Sequence, residues 1–543
     1  MKSFTGINTG SISQCRFVCF SRALSSKPLA SNDEASDYIV RNRQLANQNT
    51  NLYPLLDSRQ PMMRVPELIS QYKTVQHTSE PSTPITRVNG RIHSIRRSGK
   101  GLLFIDLIQD YKKLQIVVNA KRLGDMDVGQ HSLLRRGDII AVSGQPWRTK
   151  SGELSVLAAE PLKLLAPCLH PLPLANTLSD TTRLHNRMVD LLINDRSRQV
   201  LLVRATIIRS IREFFNSRGF LEVQTPMLST QAGGATATPF MTQSKALSGD
   251  GRTLDLALRV APELWLKRLV ISGMDKVYEL GQSFRNEGID ATHNPEFTTC
   301  EFYQSYASLE NLIDITEQLL RSILHQVEIT SLQNQNVTND VVSRLQTAFS
   351  IFNKIDFISY IENKTTKPLP EALDDPHQLL SYYREIGLPA PNIPQTAAKL
   401  LDHLAAKYIE PDFGGIPTFI MNHPKVMTPL AKSTTITING IPREISRRFE
   451  LFIDGKELVN AYEEENSPQA QNIKFSNQAR DRAEFSDPEA SLPDQSYVEA
   501  LEWGLPPTGG WGMGVDRLVM LMTGTTRIDQ VMSFGGLKVV NYQ

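Results

Sequence analysis

The chain has 543 residues, too many for one ordinary core, so two or three domains are expected. Its 58 Lys plus Arg balance 57 Asp plus Glu, which excludes attraction of a polyanion to the molecule as a whole; any nucleic-acid contact must be a local patch. The four cysteines, Cys15, Cys19, Cys168 and Cys300, lack metal-ligand spacing and cannot build a disulfide framework, and no apolar run reaches the roughly 18 residues of a membrane span, so a soluble protein of a reducing compartment is expected.

Residues 1–30 carry Lys2, Arg16, Arg22 and Lys27, many serines and no acid before Asp33. A positive, acid-free leader of this kind is drawn along a membrane potential and removed, so it is set aside from the fold as a mitochondrial transit peptide. Residues 31–80 contain helical-looking stretches such as Ala35 to Asn47 and no chemical motif, and serve as a lead-in. Over 81–170 the pattern changes to short apolar alternations: Val88 to Ile95, Leu102 to Ile108, Leu114 to Val118, Asp138 to Gly144 and Glu153 to Ala158. Five short strands in this space predict a small closed barrel of the oligonucleotide-binding (OB) type.

A linker over 171–195 leads to a larger unit over 196–543. Val200, Val203, Ile207, Ile208, Ile211, Phe214 and Phe215 recur at helical spacing and Gly219 stops the helix. Phe220 to Gln224 is extended and closed by Pro226, which cannot donate to a sheet ladder. Further strands are predicted around Lys276 to Leu280, Thr298 to Gln304, Arg448 to Ile453 and Glu457 to Ala461. Long connections separate them, so an antiparallel sheet with flanking helices fits better than a parallel doubly wound one, and the class is α+β. The proline-rich, motif-poor span about 333–415 is expected to be an inserted subdomain of helices and loops.

Three segments carry chemistry. Phe284-Arg285-Asn286-Glu287 runs through a polar loop into Glu296-Phe297-Thr298, a hairpin that can set an arginine fork beside a phosphate and an aromatic face beside a base. Gly509-Gly510-Trp511-Gly512-Met513-Gly514 lets backbone approach a ligand closely, and Arg517 on the following helix can meet a terminal phosphate. Phe220 to Pro226 with its preceding helix is the third. In this order the three resemble the signature motifs of class II aminoacyl-tRNA synthetases. Arg183 to Asn194, Gly233-Gly234-Ala235, Ala261-Pro262-Glu263-Leu264, Asn286 to Tyr303, His423 to Lys432 and Arg448 to Glu464 are similar to the lysine-specific family of that class. Glu463-Glu464-Glu465-Asn466 and the leader resemble its mitochondrial branch.

The resemblance implies an OB-type barrel followed by a class II catalytic domain, with ATP, Mg²⁺, L-lysine and tRNA(Lys) as ligands, a homodimer, no membrane, and the mitochondrial matrix as the location. It implies that Arg285 binds the α-phosphate and the lysine carboxylate, Phe297 stacks on adenine and Arg517 holds the γ-phosphate. Glu287, His293, Asn294 and Gly514 complete the ATP set, and Glu450 and Glu457 match the magnesium-binding acids. Gly233, Glu263, Glu301, Tyr303, Asn460, Tyr462 and Glu464 would line the lysine site, with Glu263 on the α-amino group and Glu301, Tyr303 and Glu464 around the side-chain ammonium. An ammonium taken from water needs such acids to offset its lost hydration, whereas an aspartate enzyme of the same subclass would need a cation there. Arg96, Arg97, Phe104, Gln115 and Glu153 resemble the anticodon-reading positions of the barrel. Three alternatives remain at this point: the aspartate or asparagine enzyme, a relative that modifies a protein and lacks the barrel, and an RNA-binding scaffold without activity. The loop Ser433 to Ile445, with Asn439-Gly440 as a predicted hairpin turn, departs from the family.

Overall fold

The computed structural model describes residues 32–535 apart from 48–50, 57–60, 78–80, 82, 100, 124–132, 175–176, 231–232, 236, 248–252, 335–338 and 488–492. The expected leader lies outside the described residues. The chain divides into two compact units at Leu178/Ser179. Among the described residues, no helix is long and apolar enough to cross a membrane.

In the first unit, β1 (Thr86–Ser98), β2 (Leu102–Gln109), β3 (Lys112–Asn119), β4 (Ile139–Arg148) and β5 (Leu154–Ala158) run in the order β1-β2-β3-β5-β4, and β1 pairs with β4 to close the ring. The expected five-stranded barrel is therefore present, built from the five predicted alternations. A sixth strand, β6 (Lys163–Ala166), extends it beside β4. Alternation places Val88, Ile92, Leu103, Ile105, Leu107, Ile116, Val142 and Val156 inside, where they form one apolar cluster. The lead-in contributes α1 (Asn32–Ala46) and α2 (Val65–Gln71), and Val65 and Leu68 of α2 join the same cluster. Arg41 of α1 reaches the buried Asp138 at 2.8 Å, whose other oxygen accepts the Cys168 amide at 2.7 Å.

In the second unit, α3 (Asp180–His185) and α4 (Arg187–Ile193) precede α5 (Asp195–Asn216), the predicted long helix. The strands that follow are β7 (Leu221–Glu222), β8 (Leu228–Ser229), β9 (Met241–Ser244), β10 (Leu254–Leu258), β11 (Lys276–Phe284), β12 (Glu296–Ser305), β13 (Asn353–Asp356), β14 (Thr418–Met421), β15 (Ser433–Ile438), β16 (Ile441–Ser446), β17 (Arg448–Ile453), β18 (Lys456–Glu463) and β19 (Thr508–Gly514). Eight of them form the main sheet, in the order β13-β14-β17-β18-β19-β12-β11-β7. Every pairing is antiparallel except the two outermost, β13 with β14 and β7 with β11. The helices of this unit continue as α6 (Glu263–Ile271), α7 (Leu309–Asn334), α8 (Asn339–Ala348), α9 (Phe357–Thr365), α10 (Pro376–Glu385), α11 (Ala397–Tyr408), α12 (Pro468–Phe485), α13 (Gln495–Leu501) and α14 (Val515–Thr523).

One face of the sheet packs on α5, α7, α8 and α14 through Phe215, Phe302, Leu320, Leu345, Phe449, Trp511 and Leu518. The other face carries the cavity described below. The span about 333–415 is not one separate insert: α8 packs in the main core and β13 is an edge strand of the main sheet, while α9 to α11 form their own apolar cluster. The hairpin β15–β16 turns at Asn439 and Gly440, whose φ values of 50° and 82° are the pair of left-handed residues that an Asn-Gly turn supplies. Arg443, fully buried, pins this hairpin to α9 through Glu362 at 3.1 Å.

Candidate active site

Strand alternation builds the cavity. On β12, Cys300 and Phe302 go to the core beneath α5, so Phe297, Thr299, Glu301 and Tyr303 face the other way. On β17 and β18 the same rule sends Phe449, Leu451, Val459 and Ala461 inward and presents Arg448, Glu450, Asn460 and Tyr462. On β19 Trp511 and Met513 are buried while Gly510, Gly512 and Gly514 face the cavity, so three missing side chains hold it open. Its volume is about 550 Å³, and Gly233, Glu263, Glu287, His293, Asn294, Glu457 and Arg517 complete the wall from neighbouring loops and helices. Every residue expected around ATP and all those expected around lysine except Glu464 therefore line one cavity.

The anion-facing end has two guanidinium groups. Arg285 stacks 5.2 Å from the centre of the Phe297 ring, and its Nε is buried without a hydrogen-bond partner. A buried donor left unmade costs free energy, so a ligand acceptor here would be favoured. Arg517 donates to the Glu457 carbonyl at 2.7 Å and to His293 Nε2 at 3.0 Å. His293 Nδ1 lies 2.8 Å from Asp290, so a neutral ring donates there and accepts from Arg517. Behind Arg517, Arg204 of α5 bonds Thr298 at 2.8 Å and pairs with Asp516, and Asp516 accepts the Thr298 amide at 2.6 Å.

Glu450 and Glu457 stand near this end. Burial opposes ionisation of Glu450, but Arg448 and His423 overcome it and hold the carboxyl down at about 2. Glu457 is pushed up by burial and then by the charge of Glu450. An ionised carboxylate that raises its neighbour's proton affinity makes a pair that fits a small divalent cation, which typically keeps several waters and shares ligands with substrate phosphates. Among the described residues, no cluster of three or more His, Cys, Asp or Glu is arranged to hold a metal by protein ligands alone.

The acidic end differs from expectation in one respect. Glu464 does not line the cavity; it is 1 % exposed, behind Tyr303 and Gly510, and ion-paired with Lys267. Its Oε2 meets Lys267, while Oε1 has no hydrogen-bond partner. Lys267 also donates to Glu263 at 2.5 Å, and the Tyr462 hydroxyl donates to the same Glu263 oxygen at 2.7 Å. The Glu301 carboxyl is pushed up to about 8, by burial first and by Glu263 next. Lys267, Arg448, His423 and Arg204 were missed by sequence reasoning. Lys267 had a signal, since four residues after Glu263 on a helix puts both on one face.

In the barrel, Arg96 and Phe104 are cross-strand partners, as are Asp106 and Gln115. Phe104 is half-buried and outside the apolar cluster, so it does not fill the barrel. Gln115 is buried, donates to Glu153 at 3.1 Å and accepts from Ser155 at 2.9 Å. Arg97 follows Arg96 and is exposed. Asp106, also missed, accepts from Ser94 at 2.8 Å and lies 3.5 Å from Arg96.

Residues 179–538 match the family described as tRNA synthetases class II (D, K and N), and residues 86–162 match the OB-fold nucleic acid binding domain. The chain is 44 % identical to the mitochondrial lysine–tRNA ligase of Schizosaccharomyces pombe, over 93 % of this chain and 94 % of that one. It is 36 % identical to the mitochondrial lysine–tRNA ligase of Saccharomyces cerevisiae, over 87 % and 84 %. It is 40 % identical to a probable cytoplasmic lysine–tRNA ligase of Encephalitozoon cuniculi, over 84 % and 88 %.

Proposed function

The chain belongs to the class II tRNA synthetases, among the lysine–tRNA ligases, and from that premise we propose that it activates L-lysine with ATP and transfers it to tRNA(Lys) in the mitochondrial matrix. The observation that carries this reading is one cavity lined together by Arg285, Arg517, Glu263 and Glu301. The first step needs no general base, because the lysine carboxylate is already ionised near neutral pH. It attacks the α-phosphorus, an oxygen–phosphorus bond forms, and the bond to the β-phosphate breaks to release pyrophosphate. In-line placement and cancellation of charge on the phosphoryl oxygens supply the acceleration.

Arg285 takes the α-phosphate and the substrate carboxylate, which satisfies its orphaned Nε. Phe297 stacks on the adenine, Arg517 holds the γ-phosphate, and Glu287, His293, Asn294 and Gly514 border the nucleotide. Glu450 and Glu457 would hold Mg²⁺, which when bound neutralises phosphate charge. Gly233, Asn460 and Tyr462 border the amino acid, Glu263 receives its α-amino group, and Glu301 and Tyr303 flank the side chain. Glu464 lies one side chain deeper, and its unpartnered oxygen gives the substrate ammonium an acceptor beyond Tyr303 and Gly510. The terminal ribose hydroxyl of tRNA then attacks the acyl carbon, and AMP leaves.

Arg96, Arg97, Phe104, Gln115 and Glu153 are proposed to read the anticodon, with Phe104 stacking on a base. A homodimer joined through α5 and β7 is supported by the exposed Leu221, Met227, Leu228 and Met241 of that region. Matrix location is supported by the acid-free leader and by the two mitochondrial relatives. Pyrophosphate exchange across all amino acids tests the reading: lysine alone should support exchange, and Arg285→Ala should abolish it in a folded protein. Exchange with aspartate instead of lysine would sink it.

A further inference from the structure

An ammonium already stands behind the acidic wall of the cavity. Lys267 is fully buried on α6, and its Nζ meets Glu263 at 2.5 Å and Glu464, with the rings of Tyr303, Tyr462 and Tyr497 centred 5.7 to 5.9 Å away. We propose that Lys267 is a positioning residue for amino-acid recognition: it fixes one oxygen each of Glu263 and Glu464 and so aims the remaining oxygens at the incoming lysine. This inference rests on the reading of the cavity as a lysine site.

Physical cost argues that the arrangement needs a reason. A lysine taken wholly out of water loses hydration that an apolar residue of the same shape would not, so a buried pair is weak evidence for stability alone. Burial by itself would discharge Lys267, yet Glu263 and Glu464 hold it above the usual lysine range. The ionisable groups around it come from five parts of the fold: Glu263 on α6, Tyr303 on β12, Tyr462 and Glu464 at β18, Lys474 on α12, and Tyr497 on α13, with Glu301 of β12 next to Glu263 and Glu464. Without Lys267, Glu263 and Glu464 would face one another across a buried space with no cation between them. Like charges so placed share a proton, and a shared proton is one charge fewer for the substrate ammonium. With Lys267 present, Glu464 Oε1 stays beside Gly510 and Tyr303, both of which line the cavity.

The test is pyrophosphate exchange with the full chain lacking its leader, saturating in ATP and titrated with lysine. Exchange by the parent protein with lysine is the control for the functional reading; its absence would sink that reading and leave nothing for Lys267 to do. In Lys267→Met the lysine KM should rise at least about tenfold while the ATP KM stays within about twofold. That lysine KM should fall again as the pH is raised and the shared proton leaves the two acids. A residue that only fills space would give no such recovery. A folded Lys267→Met protein with the parent's lysine KM, or a raised KM that does not respond to pH, overturns the proposal. Should the single variant fail to fold, Lys267→Met combined with Glu464→Gln removes one charge of each sign. Its lysine KM should exceed that of Glu464→Gln alone, because Glu263 is then held by Tyr462 alone; equal values overturn the proposal.

Discussion

Gly510→Ala is a demanding test of how the acidic end is packed. A Cβ on Gly510 would overlap Glu464 Oε1 and stand 2.6 Å from Cε1 of Tyr303 and 3.0 Å from Glu464 Cδ. The strand cannot retreat, because Gly510 is paired with Tyr303 on one side and Tyr462 on the other. Glu464 must therefore move, and it is fully buried and tied to Lys267. If the carboxylate swings while keeping Lys267, the cost is that of overpacking, about 1–3 kcal/mol. If the pair breaks, a buried charge is stranded and the cost becomes about 3–5 kcal/mol. Either way Glu464 Oε1 leaves the place where the substrate ammonium would meet it. The expected result is a lower thermal midpoint together with a lysine KM at least about tenfold higher and an ATP KM little changed, about 1.4 kcal/mol lost from lysine recognition alone. A Gly510→Ala protein with the parent's midpoint and lysine KM would refute the placement of Glu464 against this glycine.

Glu301→Gln tests the pH dependence. A carboxyl raised in the folded state from 4.5 to about 8 contributes stability that is complete below its unfolded pKa and is lost as pH rises through the folded one. The amide cannot ionise, so Glu301→Gln should gain on the parent in urea midpoint between about pH 5 and about pH 8, and a constant difference would count against the burial of this group. Glu279→Gln strands Arg259, which pairs with it at 2.6 Å with both side chains 3 % exposed, and should lower the urea midpoint by the equivalent of about 3–5 kcal/mol. Phe104→Ala should weaken tRNA binding by about 1–3 kcal/mol in filter binding while leaving lysine-dependent pyrophosphate exchange intact. A stability loss without a binding loss would return Phe104 to a packing role.

Local pattern explains which parts of the fold were legible. Helix α5 declared itself because Val200, Val203, Ile207, Ile211 and Phe214 keep a helical period against a polar remainder. The barrel strands did so because their alternation matches an inside and an outside. Strand β13 gave no signal, since Asn353–Asp356 is four residues long, carries no alternation, and is held by a parallel partner far away in sequence. Strand β6 also gave no signal, since Lys163–Ala166 is four residues long and never fully buried. In the cavity, Phe297, Glu301, Tyr303, Glu450, Asn460 and Tyr462 were legible because each sits on a strand whose alternate positions face one way. What could not be read was the set that contacts them from elsewhere: Lys267, His423 and Arg204 become partners of Glu464, Glu450 and Asp516 only when distant segments meet. The retreat of Glu464 behind Gly510 is of this kind, since a glycine announces space but not which neighbour fills it.

Asp516 and Arg517 are consecutive on α14, and they face opposite duties. Asp516 is clasped by Arg204 of α5 and by the amide of Thr298, while Arg517 reaches the cavity, where it is proposed to hold the γ-phosphate. The helix proposed for the subunit contact and the guanidinium proposed for the nucleotide thus share a single mounting. A fragment beginning after Asn216 would keep every residue that borders the cavity and still lose its grip on ATP, because the bracket that aims Arg517 would have gone with α5.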